Sequence, residues 1–224
     1  MKCKIMSKKG FFITGTDTGV GKTFFASILM KKYNFDYWKP IQTGKFTEND
    51  TLYIKKKLGI ENNRFHKPIY TFKKPLSPHL ASSYEKISIN IKKIKKPNSN
   101  KPLIIEGVGG ILVPLNKKNL LIDLIKKFKF PVIVVSRSIL GTINHTLMTL
   151  EILKKNKINI FGVILNNIKN KKEGCENAKS IEDFGNIKVL AQISSINHIT
   201  KRKIETLSKK RFINVFKLWK IQNQ

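Results

Sequence analysis

The 224-residue chain carries 44 basic residues against 14 acidic ones, a formal net charge of +30, and is 41% hydrophobic. That length suits one domain over residues 1–224 with a sizeable core, and the hydrophobic share is ordinary for a globular protein. No apolar run approaches the roughly 20 residues that span a bilayer, and the apolar stretch in MKCKIMSKKGFFITG is too short for a secretory signal, so no membrane is expected and the cytoplasm is the expected compartment.

GFFITG (10–15) reads as a short apolar strand. Residues 22–33 then place Phe25, Ile28 and Leu29 at helical spacing. DYWKP (36–40) reads as a brief strand stopped by proline, and 49–59 as a short helix ended by Gly59. PLIIEG (102–107) and PVIVVS (131–136) are continuous apolar runs, the pattern of strands buried on both faces. Leu120, Leu121, Leu124, Ile125 and Phe128 mark an amphipathic helix between them, and Ile143, Leu147, Leu150 and Leu153 another after Gly141. IFGVILN (160–166) and KVLAQI (188–193) add two strands. Residues 60–101 are less regular, and KKIKKPNSNKP reads as a solvated loop. Alternation of strands with helices predicts an α/β fold, a mainly parallel sheet with helices on both faces. Such a sheet binds ligands at the carboxyl ends of its strands, where Gly15, Lys39, Glu106 and Asn166 fall.

The charge admits two explanations. A basic surface can serve nucleic acid or membrane. Yet 40 of the 44 basic residues are lysine and four are arginine (Arg64, Arg137, Arg202, Arg211), beside 20 asparagines and 32 isoleucines. Lysine, asparagine and isoleucine are the residues of A/T-rich codons, whereas base readout favours the arginine fork. The lysines are scattered in short runs (55–57, 92–96, 126–127, 169–172, 209–210), with no aromatic ladder between them. Compositional drift is the favoured explanation, with no specific nucleic acid as partner. Cys3 and Cys175 lie far apart without a CxxC, so neither a disulfide framework nor a zinc site is expected. His66, His79, His145 and His198 have no zinc spacing.

GTDTGVGKT (15–23) is a phosphate-loop candidate. Against G-x-x-x-x-G-K-[ST], the first glycine falls on Thr16, with Gly15 one residue early. The physics survives: Gly19 and Gly21 permit close backbone approach, and the loop joins a strand to a helix, so amide groups and a helix start face one anion. Lys22 would reach the outer phosphates and Thr23 would hold Mg²⁺. Partitioning-type switch ATPases often carry an early lysine in this loop; here the residue is Asp17.

Taken with YWKPIQTG (37–44), SPH (77–79), IIEGVGGILVPL (104–115) and LGTINHTLMTLEIL (140–153), the loop makes the chain resemble the dethiobiotin synthetase family from about residue 10 to about 168. The resemblance implies that diaminopelargonic acid (7,8-diaminononanoate), CO₂ and ATP give dethiobiotin, ADP and phosphate. One amine forms a carbamate, ATP phosphorylates it, and the second amine closes a cyclic urea. It implies Lys39 and Lys22 as catalytic cations and Mg²⁺ held by Thr23, Asp50 and Glu106. It also implies nucleotide contacts from Gly19, Val20, Gly21, Lys22, Thr23, Phe24, Asp50, Glu106, Gly107, Val108, Gly109, Asn166 and Asn167. Substrate contacts fall on Thr16 and Thr43, and on Gly141, Thr142 and Asn144 of a second subunit, which implies a homodimer. The glycines after Glu106 would let substrate approach the backbone. Asp50 and Thr142 could equally serve as helix caps.

Two departures surround the base: Asn167 stands where the family often has aspartate, and Ser194-Ser195-Ile196 where Pro-x-Leu is common. Two rivals remain from sequence. A cobyrinate-type amidoligase would need a glutaminase domain for which this chain has no room. A partitioning-type ATPase switch on DNA or membrane would need a concentrated basic face.

Overall fold

The computed structural model describes residues 10–44, 49–60 and 62–210; Cys3 and Arg211 lie outside them. In chain order the elements are β1 (Gly10–Gly15), α1 (Lys22–Lys32), β2 (Asp36–Trp38), β3 (Ile41–Thr43), α2 (Asp50–Leu58), β4 (Phe65–His66), β5 (Tyr70–Phe72), α3 (Pro78–Tyr84) and β6 (Leu103–Gly110). Then follow α4 (Leu121–Phe128), β7 (Val132–Arg137), α5 (Thr142–Lys155), β8 (Ile160–Ile168), α6 (Lys171–Gly185), β9 (Val189–Ser194) and α7 (Lys201–Ser208).

The main sheet has seven strands in the order β4-β2-β6-β1-β7-β8-β9, all paired in parallel. β3 and β5 form a separate parallel pair. The expected α/β architecture is the observed one. Side chains on a strand alternate faces, and the strands split cleanly on that rule. Phe12, Trp38, Ile105, Val134 and Leu165 join the core under α3, α4, α5 and α6. Phe11, Ile13, Tyr37, Ile104, Val135 and Ile164 join the core under α1, α2 and α7. Both faces are covered, which explains why these strands read as unbroken apolar runs.

Several elements were not predicted, each for a physical reason. β4 and β5 are two and three residues long. The buried positions of α6 are Gly174, Ala178, Ile181 and Gly185. A helix that packs through glycine and alanine carries little apolar periodicity. Only Ile204 and Ser208 of α7 are buried. Residues 92–102 do run without helix or strand, yet Ile94 within them is fully buried. β6 continues to Gly110 and β8 to Ile168, past their predicted ends.

The topology places the site. β1 lies between β6 and β7, so the loop after β1 opens beside the carboxyl end of β6. β2 lies on the other side of β6. Lys39 follows β2, and Glu106 is on β6, so both converge on the loop.

Candidate active site

The loop from Thr16 to Thr23 turns directly into α1. Gly21 occupies the left-handed region at φ 101° as the α1 N-cap, a conformation glycine adopts without a Cβ penalty. A Cβ there would lie 2.1 Å from Asn166 Nδ2. Lys22 is buried, and its Nζ donates to the carbonyl of Asp17 at 3.0 Å. Burial pulls its pKa down to about 8, with Glu106 opposing and Lys39 adding to the fall. At neutral pH it stays a cation, incompletely compensated and facing the loop.

A compact polar cluster sits behind the loop. Thr23 Oγ1 lies 2.7 Å from Asp50 Oδ1 and 2.8 Å from Glu106 Oε1, its single proton serving one carboxylate at a time. Lys39 Nζ pairs with Asp50 Oδ2 and with Glu106 Oε1, the latter at 3.1 Å. Glu106 is 1% exposed and Lys39 6%. Burial alone would lower the Lys39 pKa, but the two carboxylates outweigh it and raise it above the ordinary lysine value. Burial likewise pushes Asp50 upward, but Lys39, together with hydrogen bonds from Thr23 and Gln42, outweighs it and leaves the pKa lowered. Lys39 is therefore a fixed cation set between the carboxyl groups of Asp50 and Glu106. Asp50 is not the cap of α2: the N-cap is Asn49, whose side chain accepts from Leu52 N–H. The Asp50 carboxylate is left for the cluster.

Loop and cluster line one cavity of about 430 Å³, formed by Thr18, Gly19, Gly21, Lys22, Thr23, Lys39, Thr43, Asp50, Glu106, Val108, Gly109 and Val113 with residues 75–78. Two carboxylates and a hydroxyl are hard oxygen donors of the kind Mg²⁺ takes beside water and phosphate, so the donor set fits that ion.

The chain matches a family model described as AAA domain over residues 9–203. It is 42% identical over 199 residues to the ATP-dependent dethiobiotin synthetase BioD of Paramagnetospirillum magneticum, covering 89% of this chain and 94% of that protein. To the protein of the same name from Lawsonia intracellularis it is 44% identical over 197 residues, covering 88% and 93%. The chain belongs to the dethiobiotin synthetase family. The likeness runs well past residue 168, the end expected from motifs alone. Solved structures are more distant: a ParA family ATPase from Chlorobium tepidum is 14% identical with a TM-score of 0.59, covering 94% of this chain and 98% of that one. MinD of Pyrococcus horikoshii is 15% identical with a TM-score of 0.53, covering 92% and 93%. These show a shared fold and nothing finer.

Not every residue implied by the dethiobiotin synthetase motifs reaches the cavity. Thr16 borders a neighbouring cavity with Thr18, Gly110, His145 and Met148, its Oγ1 3.4 Å from Ser136 Oγ. Thr18, which the motif reading passed over, lines the first cavity as well. Val20 and Phe24 are buried in the core, so only their backbone faces the loop. Gly107 is buried, and a Cβ there would meet Leu121 Cδ2 at 2.9 Å and Phe12 Cε1 at 3.0 Å. Its lack of a side chain serves packing, whereas Val108 and Gly109 line the cavity. Asn166 Nδ2 donates to the Val20 carbonyl at 2.9 Å, bracing the loop. Asn167 sits at φ 59°, a left-handed conformation that asparagine tolerates, where the β8–β9 register shifts.

Gly141, Thr142 and Asn144 line a different cavity, with residues of α6. Thr142 is not the cap of α5, which is Gly141; it is buried with its hydroxyl 2.8 Å from Ser136. Ser136 also meets Thr146 at 2.9 Å, so one buried serine joins the loop, β7 and α5. His66 pairs with Asp36 at 3.0 Å, and His79 Nδ1 lies 3.1 Å from Ser77 Oγ. Cys175 is exposed and free. Ile196 packs against the α1-side core.

Proposed function

We propose that the chain, as one catalytic domain, carboxylates 7,8-diaminononanoate with CO₂ and closes the ring to dethiobiotin, cleaving ATP to ADP and phosphate. The observation that carries this reading is the convergence of Lys22, Lys39, Thr23, Asp50 and Glu106 on one cavity in a member of the dethiobiotin synthetase family. Phosphoryl transfer to a carbamate needs positioning and charge neutralisation more than covalent help. Lys22 and the loop amides take the β- and γ-phosphates. Lys39, fixed behind them, faces the carbamate oxygen that attacks the γ-phosphorus as ADP leaves. The second amine then attacks the carbamoyl carbon and expels phosphate. Thr23, Asp50 and Glu106 would hold Mg²⁺, which supplies charge neutralisation between the phosphates. Thr18, Thr43 and Gly109 border the place where the carbamate would lie. The expected test result is ADP release that depends on both the diamine and bicarbonate, not on DNA or lipid.

The homodimer belongs to this reading. Gly141 and Asn144 are exposed and lie outside the phosphate cavity, as expected if they serve the substrate carboxylate of the neighbouring subunit. Leu140, Met148 and Leu112 present apolar surface nearby. Sedimentation velocity should give twice the chain mass. Cytoplasmic location and the absence of a nucleic-acid partner complete the reading; among the described residues no helix is long and apolar enough to cross a membrane.

Glu106→Gln and Asp50→Asn should each raise the Mg²⁺ concentration for half-maximal turnover at least tenfold, with the fold retained. Each keeps size while removing a negative ligand. A Mg²⁺ titration unchanged in both variants would remove the metal assignment.

A further inference from the structure

Tyr37 is fully buried on β2, yet it carries a hydroxyl. It pairs in register with Ile104 of β6. Glu106 stands two residues farther along β6, on the same face of the sheet. The tyrosine is long enough to span that diagonal, and its hydroxyl donates to Glu106 Oε2 at 2.8 Å. The other carboxylate oxygen, Oε1, faces Thr23 at 2.8 Å and Lys39 at 3.1 Å. One oxygen is thus anchored from the sheet and the other points at the cavity cluster.

A phenylalanine would pack equally well in this apolar setting, where the ring lies edge-on to Phe65 with centroids 6.0 Å apart. The hydroxyl adds nothing to that packing and needs a polar partner when buried. A carboxylate's terminal torsion is broad and soft, so an unanchored Glu106 could present either oxygen, or neither, to a cation. A phenol fixes the torsion without placing a second positive charge beside Lys39. Residues that hydrogen-bond a metal-ligating carboxylate commonly change metal affinity 10–100-fold when removed.

We propose that Tyr37 is a positioning residue, anchoring Glu106 Oε2 so that Oε1 is preset for the divalent cation of the nucleotide. This rests on the reading of Thr23, Asp50 and Glu106 as the metal donors. The test compares full-length wild type with Tyr37→Phe, Glu106→Gln and Phe65→Leu. Two quantities are measured: Mn²⁺ bound in the presence of ADP, followed by electron paramagnetic resonance, and thermal unfolding without metal. Tyr37→Phe should weaken Mn²⁺ binding roughly 10–100-fold. Phe65→Leu, which disturbs the same packing but not the hydroxyl, should leave Mn²⁺ affinity within about twofold of wild type, whatever its melting temperature. In steady state, Tyr37→Phe should raise the Mg²⁺ concentration for half-maximal turnover while kcat at saturating Mg²⁺ stays near wild type. Wild-type Mn²⁺ affinity in Tyr37→Phe beside weakened binding in Glu106→Gln would overturn the role of Tyr37 and keep the metal site. Equal weakening in Phe65→Leu would also overturn it, since packing would then be the cause. Unchanged binding in Glu106→Gln would instead defeat the metal reading beneath it.

Discussion

Replacing Lys22 by alanine is expected to lower ATP-dependent turnover by roughly 10²–10³-fold or more, the scale seen when one preorganised transition-state donor is removed from an enzyme site. The reason lies in how this lysine is held. It is buried, its Nζ donates to the Asp17 carbonyl, and burial has already lowered its pKa to about 8. Its charge is thus desolvated before the nucleotide arrives. A phosphate that enters meets a cation with little water to displace, and the loop amides converge on the same anion. Alanine removes the counter-charge and leaves the amides. The substitution also removes a buried charge, so chemical unfolding should show no loss of stability, which separates this effect from misfolding. Calorimetric titration with ADP would show the weakened binding directly. Normal nucleotide affinity and turnover in a folded Lys22→Ala protein would contradict the loop assignment.

Lys39→Gln is expected to reduce dethiobiotin formation by a similar factor, roughly 10²–10³-fold, while nucleotide binding is affected far less. A carbamate attacking a γ-phosphate brings two anions together, and Lys39 is the second fixed cation of the cavity. Glutamine retains a donor and most of the volume but not the charge. Asp50 and Glu106 would then face each other through Thr23 with no cation between them. The comparison protein matters. Lys57 donates to the Ile199 carbonyl, and Lys55 lies over the Phe65 ring, so substitutions in that run disturb packing as well as charge. Lys92, Lys93, Lys95 and Lys96 are exposed on the loop before β6. Their joint replacement by glutamine removes four charges and should leave turnover nearly unchanged. Full activity in Lys39→Gln would show that another cation supports the transfer.

The parallel sheet was legible in the sequence because strands buried on both faces cannot alternate, and GFFITG, PLIIEG and PVIVVS do not. The cluster was legible for a related reason. Glu106 ends such a run, where an acid is costly unless paired. Other features were hidden because they depend on tertiary packing. Three of the four buried positions of α6 are glycine or alanine, with Ile181 the fourth, so little hydrophobic pattern marks it. Ser136 closes an apolar strand in the sequence, and only the fold shows it joining Thr16, Thr142 and Thr146. Thr16 and Thr18 are equivalent in the motif; only the fold shows that Thr18 borders the phosphate cavity and Thr16 does not. The same holds for Gly107 and Gly109, one filling a packing gap against Leu121 and the other facing the cavity. Tyr37 read as part of an apolar strand, since nothing local says that its hydroxyl reaches across to β6.

The most direct measurement of the reaction is the fate of labelled carbon. Wild-type protein would be incubated with 7,8-diaminononanoate, labelled bicarbonate and MgATP, and the products separated. The label should appear in the urea ring of dethiobiotin, one ADP formed per ring closed, with formation abolished when ATP or the diamine is withheld. Sustained ATP cleavage without any labelled ring, under conditions where an established dethiobiotin synthetase forms it, would contradict the assignment.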